Sequence, residues 1–572
     1  MKILPKINGL YEESNGEFNL SEHFGIDNRF PAANQVFEER LQRIGQYMIS
    51  PEEDMQIVYL QEEMENEAYQ LMIENQNVTI KAAGESGYNN GLTTLYQLLA
   101  RGKGKVRNCT IVDKPRFERR GVMLDVCRHF FSVEEVKRII EQSALLKFNQ
   151  FHWKLSEDQG FRMESTRFPE LNKIGSWRNL AAADPMVLKG LAKEDDVYGG
   201  YYTKDEIRDV VSYAAARNIE VIPEISLPGH SSAILATYPQ FTCTGEPLKV
   251  KNTFGIYERI ICAGNVSANE FLYQLLDEVC ELFPSKYIHL GGDEAPKKSW
   301  KSCPHCNKLM EEKGIHNYES LQSYLANKMI THIQTKGKTG IVWNESVIGG
   351  GLEESTVVQY WIEMAPGPSY VEPELTKGRK LILSSMNQFY CDYSYADIPM
   401  KATLMYEPEV KGIKVSQENV LGIESPMWTE WTPENEDIEK MMYPRLLAVA
   451  ECGWTKKRDW EDFVQRAESY LSIEALNILT PMPWEQATIH GKEALKMIVK
   501  NMLELSKKYS DMSQNNDEDD KAQVVLPEGT EPIDPSAMMR HYIHDKMKAA
   551  YTQEEINEVL AMMMETMAGA MS

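Results

Sequence analysis

Asp293 and Glu294 close the stretch KYIHLGGDE, where a short apolar run gives way to two glycines and then to two adjacent carboxylates. The run reads as a buried strand, and successive side chains on an extended backbone point to opposite sides. The two acids therefore divide a task between them. One is placed to donate a proton as a general acid, the other to orient or charge-stabilise a second group. In isolation, Gly-Gly-Asp-Glu would equally serve as a solvated turn, so the elements that position it decide its meaning.

Those elements change character along the chain. Residues 1–115 read as an α+β accessory domain, with helical spacing over 34–49, period-two alternation at 56–60, 69–73 and 78–82, and a glycine-rich turn feeding a helix in GESGYNNGLTTLYQLLARG. Residues 116–456 alternate apolar strand, polar loop and helix. The eight candidate strands are RGVMLDV, NQFHWKL, IEVIPEI, KYIHL, TGIVW, TVVQYW, LILSS and VLGIES, and the pairs Ser132/Glu135 and Thr203/Glu206 form capping boxes that open two of the helices. Strands alternating with helices pair in parallel, and eight such units predict a (β/α)8 TIM barrel, giving an α/β fold. Residues 457–572 form a helical C-terminal extension. In it Leu495, Ile498, Val499, Met502 and Leu505 share one face, an acidic linker runs near 510–525, and Thr552 with Glu555 opens a methionine-rich final helix expected to dock on its own chain.

The polar residues fall at the C-terminal ends of the candidate strands: Asp125 and Arg128, Glu157 and Asp158, Glu224 and His230, Asp293 and Glu294, Trp343 and Glu345, Trp361, Tyr390 with Asp392, and Trp428 with Glu430. Each alone has a structural explanation. Together they define one mouth of a barrel, where active sites are built.

Composition narrows the ligand. With 61 basic against 85 acidic residues, the formal charge of −24 argues against nucleic acid, which demands a basic surface. No run approaches a membrane span or the apolar centre of a signal peptide, so no membrane partner and a cytoplasmic location are expected. The nine scattered cysteines fit a reducing compartment, and Cys303 and Cys306, one CxxC offering two of a zinc ion's four ligands, are expected to be surface or packing thiols rather than a metal site. No phosphate-binding glycine loop occurs, and no cofactor is expected. Oligomeric state is left open.

A mouth rich in tryptophan, tyrosine and carboxylates suits a sugar: aromatic faces cover C–H faces, while charged groups take hydroxyls. Glycoside cleavage needs an acid for the leaving oxygen and negative charge to meet an oxocarbenium-like transition state. Glu294 fits the acid. Asp293, aimed elsewhere, fits a residue that orients a nucleophile belonging to the substrate, such as the carbonyl oxygen of a 2-acetamido sugar.

The motifs HLGGDE, RRGVMLDVCRHF, NQFHWKLSEDQGFR, IPEISLPGHS, VWNES, YCDY and PMWTEW resemble the signatures of the family 20 glycoside hydrolases, the β-N-acetylhexosaminidases, in the family's order. The resemblance implies that Glu294 is the general acid/base and that Asp293 polarises the acetamido nitrogen, giving an oxazolinium intermediate and retained configuration. Tyr390 would donate to the acetamido oxygen, with Asp392 beside it. Trp343, Trp361 and Trp428 would wall the terminal sugar, Arg120 and Glu430 would hold its hydroxyls, and His230, backed by Glu157 or Asp158, would tune Glu294. Three positions depart from the family pattern: Glu157 for an aspartate, Lys154 for a histidine and Ser226 for an aspartate. The expected activity is exo-acting release of terminal β-linked N-acetylhexosamine from a glycan or glycoconjugate, GlcNAc ahead of GalNAc. The alternatives are a two-carboxylate retaining β-glycosidase with Glu345 or Glu224 as nucleophile, and a catalytically dead glycan-binding homologue.

Overall fold

A computed structural model describes residues 2–179, 197–253, 255–363 and 367–489, with isolated positions beyond. The five apolar positions at 495–505, the acidic linker and most of the final helix lie outside the described residues.

Eight parallel strands close into a barrel in chain order. We number them β1 (Arg119–Asp125), β2 (Gln150–Lys154), β3 (Glu220–Glu224), β4 (Tyr287–His289), β5 (Thr339–Trp343), β6 (Val357–Tyr360), β7 (Leu381–Leu383) and β8 (Val420–Met427). All eight fall on the runs expected from sequence. Burial on both faces is what makes such strands continuous apolar runs. The helices between them start where capping predicts. Ser132 Oγ accepts from Glu135 N at 3.2 Å to open Val133–Leu145, and Thr203 with Glu206 forms the reciprocal box before Lys204–Ala215.

The barrel interior is stratified. Its lower tier is apolar, built from Ile222, Tyr287, Ile341, Val357 and Ile382. Above it lies a fully buried polar tier: His152 bridges Glu424 at 2.9 Å and Glu224 at 3.0 Å, and Gln359 donates to Glu424. Burial opposes a charge on His152, but Glu424 and Glu224 prevail and raise it to about 9, so it sits as an imidazolium between two carboxylates. The top tier is aromatic, with Trp343, Tyr390 and Trp428 packed around Met123, Met386 and Ile398.

Before the barrel stands a seven-stranded sheet in the order Leu10–Asn19, Lys105–Asp113, Tyr69–Ile73, Val78–Ala82, Met55–Gln61, His23–Ile26, Met48–Ile49. The helix Glu85–Gly102 buries Leu92, Leu95 and Leu99 in its core. The helix expected over 34–49 spans Pro31–Leu41 instead, because the chain turns and adds the short strand at 48–49 alongside His23–Ile26. Sheet and barrel are joined by buried charges: Arg120 reaches Glu67 at 2.6 and 2.9 Å, and Lys147 lies 3.3 Å from Asp113, which also accepts from the indole of Trp454. Beyond the barrel, the helix Trp460–Leu471 folds back on it through a bidentate pair between Arg466 and Glu451. Among the described residues, no helix is long and apolar enough to cross a membrane.

Candidate active site

The strand β4 delivers the two acids through a tight backbone path. Gly291 and Gly292 have φ of +68° and +102°, and a Cβ on Gly292 would come within 2.1 Å of Ser346 Oγ. Glu294 itself adopts φ +44° and His230 φ +50°, a region that L-residues with side chains seldom occupy. Two strained residues facing one another at the barrel mouth are what functional positioning produces.

His230 is the hub. Its Nδ1 lies 2.7 Å from Glu157 Oε1 and 2.9 Å from Asp158 Oδ2, while Nε2 lies 3.3 Å from Glu294 Oε2 and 3.7 Å from Asp293 Oδ2. Both acids at 157 and 158 thus back the histidine, and the extra methylene of Glu157 is accommodated. Asp158 is itself fixed by Ser232, whose N–H and hydroxyl both donate to Oδ1. Burial works against a charge on His230, but Glu157, Asp293 and the hydrogen bond to Asp158 raise its pKa well above the ordinary histidine value. An imidazolium there sets a positive charge beside the Glu294 carboxyl.

Asp293 is 8 % exposed, and its Oδ1 is buried without a hydrogen-bond donor from the protein. Burial raises its pKa to about 6, with Glu224 and Glu157 adding to the rise and His230 and Lys154 opposing it. With a pKa of about 6 it is ionised at neutral pH, and its buried Oδ1 is left with an unfilled acceptor position.

The departure at Lys154 has a structural explanation. Its ammonium reaches Glu157 at 3.0 Å, Glu224 at 2.9 Å and Ser226 Oγ at 2.8 Å. A cation with three partners holds two fully buried carboxylates ionised, and Ser226 supplies an oxygen without another negative charge. Burial opposes ionisation of both acids, but Arg128, His230 and Lys154 hold Glu157, and Lys154 with His289 and His152 holds Glu224, well below the usual carboxylate range.

The aromatic residues enclose the acids. Trp361 stacks on Tyr390 at 6.3 Å, Tyr390 lies 6.0 Å from Trp428, and Trp428 lies 6.0 Å from Trp343. Their planes are locked by polar edges: Trp343 Nε1 donates to Glu224 at 3.1 Å, and Trp361 Nε1 donates to both oxygens of Glu345 at 2.9 and 3.0 Å. Burial, then the charge of half-buried Asp392, pushes the Tyr390 phenol well above its ordinary value, keeping it a hydrogen-bond donor.

Arg120 is not in this site. It opens β1 at the opposite end of the barrel, where its guanidinium is spent on Glu67 and the carbonyls of Lys147 and Phe117. Five residues of strand at ~3.3 Å each separate it from Asp125 at the mouth. The arginine at the mouth is Arg128, 3.2 Å from Asp125, 3.3 Å from Glu157 and 3.7 Å from Glu430. RRGVMLDVCRHF offers three arginines, and strand direction selects the last. Cys303 and Cys306, expected as surface or packing thiols, are packed inside rather than on the surface: they are 2 % and 0 % exposed, and their sulfurs gather with those of Cys243 and Cys262.

The other expected residues converge. Glu294, Asp293, His230, Glu157, Asp158 and Tyr390, with Trp343, Trp361, Asp392, Trp428 and Glu430, lie at strand ends on one mouth of the barrel.

Comparison with known proteins agrees with this geometry. Residues 117–457 match the family model described as glycosyl hydrolase family 20, catalytic domain, and residues 1–114 match the family's domain 2. A β-hexosaminidase of Porphyromonas gingivalis is 34 % identical over 73 % of this chain, which spans 55 % of that relative's length. A β-hexosaminidase of Vibrio furnissii is 31 % identical over 80 % of this chain and 77 % of its own. Among solved structures, an exo-β-N-acetylglucosaminidase from Vibrio harveyi in complex with N-acetylglucosamine superposes with a TM-score of 0.74 at 31 % identity, covering 84 % of this chain and 78 % of that one. With a mouth that unites paired acids, their histidine and an aromatic wall, and a family model that covers the barrel, the chain belongs to glycosyl hydrolase family 20.

Proposed function

We propose that the protein is an exo-acting, retaining β-N-acetylhexosaminidase that uses its substrate's acetamido oxygen as the nucleophile. The observation that carries this is Asp293: buried, ionised at neutral pH, and offering Oδ1 with no donor from the protein. A 2-acetamido N–H satisfies that acceptor, and the carboxylate then balances the positive charge of an oxazolinium. Tyr390 donates to the acetamido oxygen and aims it at the anomeric carbon. Glu294, backed by His230, protonates the departing oxygen, then takes a proton from the water that opens the ring. Arg128 and Glu430 take sugar hydroxyls, and Trp343, Trp361 and Trp428 cover its faces.

The alternative carboxylate nucleophiles are otherwise engaged. Glu345 has both oxygens on Trp361, and burial with the Asp293 charge raises it to about 8, leaving it protonated at neutral pH. Glu224 lies fully buried beneath Trp343, tied to Lys154 and His152. A dead binding homologue would lack its acid or its acetamido contacts, and this chain keeps Glu294, Asp293 and Tyr390. The substrates are glycans ending in β-linked N-acetylhexosamine, with GlcNAc ahead of GalNAc. The test is hydrolysis of 4-nitrophenyl N-acetyl-β-D-glucosaminide against the matching glucoside, with the first-formed anomer scored. Cleavage of the acetamido sugar alone, with the β-anomer released, supports the proposal. Equal rates on both sugars would refute it.

A further inference from the structure

Four cysteines from two separate loops meet beside the active site. Cys243 and Cys262 lie on the connection between β3 and the helix Val266–Leu282, while Cys303 and Cys306 flank the start of the helix Pro304–Lys313, shortly after Glu294. One sulfur from each lies within 4.8 Å of every other, and Cys262 Sγ is 3.6 Å from both Cys303 Sγ and Cys306 Sγ. A disulfide would require ~2.05 Å between sulfurs. A zinc ion bound by four thiolates at ~2.3 Å sets its sulfurs about 3.8 Å apart at the corners of a tetrahedron. The two 3.6 Å separations are close to that edge, and all four sulfurs lie within 4.8 Å of one another.

The backbone is shaped around the sulfurs. Gly264 passes so close that a Cβ there would lie 2.5 Å from Cys306 N. The Trp300 indole donates to Ile261 O at 3.0 Å and Cys303 N donates to Trp300 O at 3.1 Å, so the two loops are already stitched at the point where the sulfurs meet. Ile261 N in turn donates to Pro228 O at 3.1 Å, two residues before His230.

We propose that Cys243, Cys262, Cys303 and Cys306 bind one structural zinc ion as a tetrathiolate, clamping the loop that carries His230 to the loop that carries Glu294. All four positions around the ion are filled by protein, so it has no open site for water or substrate, and its binding releases the thiol protons to solvent. Its contribution is to hold two strained residues of the active site in register.

The test uses the full chain, expressed with zinc and purified without chelator. Elemental analysis should find about one zinc ion per chain, released when a mercurial reagent titrates the thiols. Exchange with cobalt should give the intense thiolate-to-metal charge-transfer and tetrahedral ligand-field bands of a sulfur-only site. Cys303→Ser and Cys306→Ser should lose the ion. The wild-type measurements decide the matter even where those variants fail to fold. Freely titrating thiols with no zinc and no cobalt spectrum would overturn the proposal, as would a mass lowered by two disulfides. None of these readouts depends on sugar hydrolysis.

Discussion

His230 Nε2 stands 3.3 Å from Glu294 Oε2, with Glu157 and Asp158 together holding the far nitrogen of the ring at 2.7 and 2.9 Å. Glu294 is thus coupled to two buried carboxylates through one imidazole, and all four groups come from the ends of β2, β3 and β4.

Glu294→Gln keeps a hydrogen-bonding side chain but has no proton to give. It should lose on the order of 10²–10⁴ in kcat on substrates with poor leaving groups and much less on 4-nitrophenyl glycosides, whose leaving group needs little protonation. A uniform loss across leaving groups would contradict the role of acid.

In the proposed mechanism Asp293 must be ionised to balance a positive intermediate. Because its pKa is raised to about 6, kcat/KM should fall as pH drops through that value. Asp293→Asn should cost roughly 10²–10³ in kcat and remove that acid limb from the pH profile. Persistence of the limb in the variant would assign it to another group.

Glu345 gives a stability prediction whose sign runs against most salt-bridged acids. Burial and the Asp293 charge lift its folded-state pKa to about 8, above the ordinary glutamate value of 4.5. The folded state therefore binds the extra proton, and stability is lost as pH rises from about 4.5 through 8. Glu345→Gln, which can still accept from Trp361, should melt a few degrees higher than wild type at pH 8 and equally at pH 4.5. It should retain activity within tenfold. Loss of all activity with azide rescue would instead identify Glu345 as a nucleophile.

Arg120 and Arg128 separate structure from binding. Arg120→Met leaves buried Glu67 without its cation and with only Asn149 donating to it, a cost of about 3–5 kcal/mol, yet should leave the KM of folded enzyme unchanged. Arg128→Met should raise KM or lower kcat through lost sugar contacts. The reverse pattern in chemical denaturation and steady-state kinetics would return Arg120 to the sugar.

The barrel was legible because its strands are buried on both faces: VMLD in β1 and IPE in β3 have no solvent side to interrupt them. The ring of acids and aromatics was legible because strand ends fix where residues converge. Four of the seven accessory strands lie outside the strand runs read from sequence, and His23–Ile26 and Met48–Ile49 are too short to show a period. Leu10–Asn19 is exposed over most of its length and carries no apolar alternation, whereas Lys105–Asp113 does alternate buried and exposed positions and could have been found. Arg120 was misplaced because motif proximity ignores which end of a strand faces the mouth. The cysteine cluster was hidden by chain separation, since Cys262 and Cys303 are 41 positions apart and only the barrel's loops bring them together.

In the proposed mechanism the nucleophile belongs to the substrate. This is tested most directly by 4-nitrophenyl β-glucosaminides bearing acetyl, fluoroacetyl, difluoroacetyl and trifluoroacetyl groups on nitrogen. Each fluorine withdraws electrons from the acetamido oxygen while barely changing its size. Attack by the acetamido oxygen predicts a steep, monotonic fall in kcat across the series. A flat series would mean that a protein carboxylate attacks the anomeric carbon.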